Sequence, residues 1–249
     1  KFMVPVLILR CCFRMPRRVA YHWKLDSPRE FPAAIAVTLI VFAVANVWLL
    51  FSPVNFLSSS TLGEAYYTVS YMRRSYQIVY LVFEVLAISI CKELLLHGDM
   101  LHVLRQFGDW DAVILTAVVA VCLSHSCTTI LMELTFSLVS GVAVLRSGSV
   151  VPAIFCRLLY HVMLFGLFAM EIWQSSFWQS YCLLFLFLVL IAGILLCLLS
   201  IRPTRKNPAL LTQKHYLTLR ERLYTVIHVG PLSIVLILCV ILMVIEVIF

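Results

Sequence analysis

Apolar residues in this chain come in runs of about twenty, parted by short polar or basic stretches. The run over 32–51 carries no charge. At about 1.5 Å per helical residue it is long enough for a hydrocarbon core of about 30 Å. A second run, 76–96, holds Glu84 and closes on Lys92-Glu93. The connection over 97–111 is expected to be partly helical, because Leu101, Leu104 and Arg105 continue a helical period. A short third run, 112–127, ends in Ser124-His125-Ser126, and a fourth, 128–145, follows at once, which predicts a tight helical hairpin. Arg146-Ser147-Gly148-Ser149 is the next turn. A fifth run, 150–170, has Pro152 in its first turn, where a missing N–H costs nothing. Trp173, Trp178 and Tyr181 form an interfacial aromatic belt before the sixth run, 182–201. The seventh, 229–249, ends the sequence.

The pattern predicts an all-α polytopic bundle of about seven transmembrane spans. One transmembrane domain occupies 32–249. Residues 1–31 mix Arg10, Arg14, Arg17, Arg18 and Arg29 with Phe13, Tyr21 and Trp23, and read as a basic amphipathic segment at the membrane surface. Lysine rather than methionine stands first, so the N-terminus is expected to be processed or incomplete.

Composition agrees with the pattern. Hydrophobic residues make up 63% of the chain and charged ones 12%, with a mean hydropathy of +1.02. Soluble domains hold about 45–50% and about 25%. The chain is therefore read as an integral, multi-pass membrane protein. Its formal charge of +7 does not imply a nucleic-acid partner, because the basic residues lie between apolar runs. There they set orientation and meet anionic lipid. With the N-terminal segment inside, 92–110, Arg146 and the basic stretch 202–222 share that side, and Arg73 and Arg74 lie outside. Most of the cysteines sit in apolar runs with no CxxC pair, so no metal, redox or cofactor site is read.

The chemistry-bearing residues fall inside three neighbouring runs. Glu93 and His97 are four apart and share a helix face, and Arg157 and His161 repeat that spacing on another run. His125 closes a third. An ionisable group costs about 2.5–3.5 kcal/mol in a bilayer even on the gentler scales, so these groups are expected to face one another. Glu93, and Glu133 or Glu84, are candidate partners for Lys92 or Arg157. Lys92 is expected to snorkel to the interface. Arg157 lies too deep for that, and is expected to hold an ion pair, a lipid headgroup or another anion.

Over about 85–168 these residues resemble the CAAX prenyl protease and bacteriocin-processing (CPBP) family of glutamic intramembrane proteases. That family's motifs are EExxxR followed by glycine, then FxxxH, then HxxxN. Here Lys92 stands at the first glutamate, Glu93 at the second, His97 at the arginine and Gly98 at the glycine. Val121 stands at the phenylalanine, His125 at its histidine, Arg157 at the last histidine and His161 at the asparagine. The family assigns the first glutamate to the activation of water. Neither lysine nor arginine replaces a carboxylate as a base near neutral pH.

The resemblance with these departures implies a catalytically inactive member, acting as a scaffold or accessory subunit with a protein partner in a membrane complex. Two alternatives stand beside it. The first is an active CAAX-type intramembrane protease using Glu93 and His125 with His161 assisting. The second is a lipid- or anion-binding protein in which Lys92, His97, Arg157 and Glu133 form the site.

Overall fold

In the computed structural model, residues 23–25, 30–51, 74–123, 130–172, 177–200, 221 and 224 are described. The predicted run 229–249 and nearly all of the basic segment 1–31 lie outside them. The elements are all helical: α1 (Glu30–Phe51), α2 (Arg74–Glu93), a π-helical stretch (Leu94–Met100), the one-turn α3 (Leu101–Leu104), a 3-10 turn (Arg105–Phe107), α4 (Asp109–Cys122), α5 (Ile130–Ser147), α6 (Val151–Ile172) and α7 (Trp178–Ser200). The fold is an all-α membrane helical bundle. Glu30–Trp48 and Trp178–Ser200 are long and apolar enough by length and composition to cross a membrane.

Local chemistry explains where the helices begin and turn. Polar side chains inside α1 return to their own backbone: Thr38 Oγ1 donates to Ala34 O at 2.8 Å, and Asn46 Nδ2 to Phe42 O at 2.7 Å. Such bonds let a lipid-facing helix carry polar residues. Gly108 sits at φ 133°, open to glycine and strained for other residues, and reverses the chain into α4. Asp109 and Asp111 lie in the first turn of α4, where the helix dipole favours acids, and Asp109 accepts from Arg105 Nε at 2.7 Å. Gly148, at φ 69°, makes the turn between α5 and α6. Ser149 Oγ then accepts the backbone N–H of Val151 at 3.2 Å and starts α6.

Two apolar clusters share α5. One joins α1, α5, α6 and α7 around Phe42, Phe136, Tyr160 and Leu186. The other packs Leu96, Leu101 and Leu104 against Val113 and Val144. Lys92 meets Glu133 and His97 meets Ser137, so α2 with its π-helical extension runs parallel to α5 at a nearly constant offset. The turn at Gly148 sends α6 back antiparallel to both.

Helices α1 and α7 approach closely at Gly193. A Cβ built on Gly193 would lie 2.9 Å from Ile40 Cγ1, 3.1 Å from Leu39 Cβ and 3.2 Å from the Ala36 carbonyl oxygen. Backbone cannot yield as a side chain can, so the small residue sets the interhelical distance. Gly193→Val is expected to cost about 1–3 kcal/mol through overpacking. Thermal unfolding in detergent checks this. Gly166→Ala is the control, because its Cβ would meet only Phe185 Cζ, at 3.9 Å.

Candidate functional site

The last turn of α2 delivers Lys92 and Glu93, and the π-helical stretch delivers His97 one turn later. A π-helical turn widens the backbone and often marks a functional site. Here it preserves the i,i+4 approach: His97 Nδ1 lies 2.5 Å from Glu93 Oε2. On its other edge, His97 Nε2 lies 3.1 Å from the Ser137 carbonyl oxygen. A carbonyl only accepts, so Nε2 carries a hydrogen. One further proton lies between Nδ1 and Oε2, and the Glu93–His97 pair is neutral as a unit whichever atom holds it.

Arg157 comes from the second turn of α6 and is 1% exposed. Its Nε donates to Glu93 Oε1 at 3.0 Å. Its two terminal nitrogens fork onto Glu133, Nη1 to Oε1 at 2.9 Å and Nη2 to Oε2 at 2.8 Å. Such a fork is the strong, directional form of a carboxylate–guanidinium bond. The guanidinium carbon also stands 4.5 Å from the centre of the Phe136 ring, whose face attracts a cation. Lys92 Nζ completes the cluster at 3.0 Å from Glu133 Oε2.

Three helices are thus tied by a continuous chain of charges: Lys92, Glu133, Arg157, Glu93 and His97. Lys92 corrects one expectation. It does not snorkel, but turns inward with its side chain only 6% exposed, because Glu133 on the facing helix offers a carboxylate. Sequence reading also missed Ser137 and Phe136. A backbone carbonyl and a phenylalanine carry no charge signal, and only the parallel register of α2 and α5 brings them in.

His161 departs from the rest. It lies one turn beyond Arg157 on α6, is 5% exposed, and stacks edge-on against Tyr160 at 5.3 Å between ring centres. Neither of its ring nitrogens has a hydrogen-bond partner among the described residues. His125 lies outside the described residues, as does the side chain of Glu84. Among the described residues no three His, Cys, Asp or Glu side chains are grouped to hold a metal ion.

Chemically, the cluster is a set of mutually bonded acidic and basic side chains. Each oxygen of Glu93 and of Glu133 already accepts from a basic side chain. A carboxylate in this state ties together the helices from which its neighbours come.

Among known families, the type II CAAX prenyl endopeptidase Rce1-like family matches residues 74–163, a stretch that spans α2 to the middle of α6 and holds every member of the cluster. A search of curated proteins and a search of solved structures each give no significant match. Over residues 74–163 this chain is similar to the type II CAAX prenyl endopeptidase Rce1-like family, a family of CAAX protease-like membrane proteins.

Proposed function

We propose that this chain is a non-hydrolytic, multi-pass member of its family, in which the reaction centre has become an ionic tie between helices. Its role is then that of a scaffold or accessory subunit in a membrane complex. The observation that carries the reading is the state of the carboxylates. A general base must present a lone pair to water at hydrogen-bond distance. Lys92 occupies the position at which the family places that base, and it bonds Glu133. Glu93, at the second glutamate position, is held by Arg157 on one oxygen and His97 on the other.

The outer face of α2 supports the partner half of the reading. Tyr76, Val79, Phe83, Leu86 and Ile90 are exposed at alternating three- and four-residue steps. That spacing is the one by which a second helix packs along a first.

The test is proteolysis. The purified protein in nanodiscs is offered a panel of prenylated peptides bearing a CAAX terminus, beside Glu93→Gln. Product formation is expected to equal that of the variant and of empty nanodiscs. Turnover by the wild type that vanishes in Glu93→Gln would restore the protease reading and sink this one.

A further inference from the structure

The charges of the tie do not cancel. The Glu93–His97 pair sums to zero, Glu133 contributes one negative charge, and Arg157 contributes one positive charge. Lys92, as an ammonium, adds a second positive charge. One net positive charge then remains in a buried cluster of three helices. An uncompensated charge in low dielectric calls for a counter-charge.

Spare donors lie around it. Lys92 has two N–H groups beyond the one used on Glu133, and Arg157 has two beyond its three bonds to glutamate. His161 and Ser89 add a ring N–H and a hydroxyl that find no partner among the described residues, and both residues are at least nine-tenths buried. The register brings these two to one level. Glu93 meets Arg157, Ser89 lies one turn before Glu93 on α2, and His161 lies one turn after Arg157 on the antiparallel α6. A helix pair crossing at 93 and 157 therefore places 89 beside 161. Both face inward at that level, and neither has work to do in the ionic tie.

We propose that Lys92, Arg157, Ser89 and His161 bind one oxyanion of the phosphate class, carrying a single negative charge, inside the bundle. The inference rests on the non-hydrolytic reading, since the anion takes the place where water would be activated. Its sources are free phosphate or the phosphodiester of an anionic lipid, and the same donors serve both. Hydrogen-bond donors and one surplus positive charge complement an oxyanion. The surplus positive charge opposes a cation.

The full chain, in nanodiscs of phosphatidylcholine alone, is heated with and without inorganic phosphate. A parallel set of nanodiscs contains phosphatidylglycerol and no free phosphate. A ligand that binds only the folded state raises the unfolding temperature. A rise of several degrees is expected in one arm, and the arm in which it occurs names the source. Ser89→Ala and His161→Leu remove groups with no hydrogen-bond partner among the described residues, so neither is expected to lower the unfolding temperature in the absence of anion. Each is expected to abolish most of the shift, and Ser89→Thr to keep it. A structural role would give the opposite pattern, with destabilised variants and an unchanged shift. No shift in either arm, or a shift that survives both substitutions, overturns the site. Because proteolysis is read separately, failure here without turnover leaves the scaffold reading intact, while turnover removes the ground of both.

Discussion

Arg157→Met is expected to destabilise the bundle by about 3–5 kcal/mol. The methionine fills similar volume, so the loss is electrostatic rather than a cavity. It strands Glu133, which keeps only Lys92, and Glu93, which keeps only His97. Removing one partner of a buried pair leaves a desolvated charge behind, and that penalty, rather than the pair's own net value, sets the cost. The same argument makes the combined variant informative. Lys92→Met, Glu133→Met and Arg157→Met together remove the stranded Glu133, leave Glu93 only in its neutral pair with His97, and are expected to be milder than Arg157→Met alone. Thermal unfolding of the single and the triple variants in one detergent decides it. A triple variant worse than the single one would mean that the tie contributes net stability.

The second large effect runs against simple motif repair. Lys92→Glu restores the residue at which the family places its base, yet no hydrolysis is expected from it. The new carboxylate would point at Glu133, whose Oε2 now lies 3.0 Å from Lys92 Nζ. Two carboxylates sharing such a site cannot both ionise freely, and one takes up a proton. Glu133 is held ionised by its fork to Arg157, so the proton falls on the new carboxylate, and a protonated acid is no base. The substitution trades an attractive contact for a repulsive one, at an expected cost of about 3–5 kcal/mol. Lys92→Met is the control, and should be milder, because Glu133 keeps its fork to Arg157. Unfolding temperature and release of a prenylated peptide product, measured on the same preparations, check both halves.

These expectations show what the sequence carried and what it did not. The run 32–51 becomes Glu30–Phe51 and the run 182–201 becomes Trp178–Ser200, because an apolar helix length is written directly in hydropathy. The fifth run, 150–170, likewise becomes Val151–Ile172. The approach of Glu93 to His97 follows from i,i+4 spacing alone. The double engagement of Glu133 by Lys92 and Arg157 was not readable as such. It depends on how α2, α5 and α6 are set against one another, and no local pattern encodes that register. The π-helical stretch left no mark either, since leucines at 94–96 fit an α-helix equally well. Ser89 is the clearest case: a serine in an apolar helix is unremarkable until the described residues around it leave its hydroxyl without a partner.

The tie also orders events in time. Its charges leave the ribosome in sequence, Lys92 and Glu93 first, Glu133 next, and Arg157 last, 64 residues after Glu93. A nascent chain that has delivered α5 holds two carboxylates, one lysine and one histidine, and lacks the cation that joins them. Closure of the core therefore waits for the second turn of α6. Until then α2 and α5 are membrane helices with unfinished business at their polar ends, and the insertion machinery has to shelter them for the length of a whole hairpin.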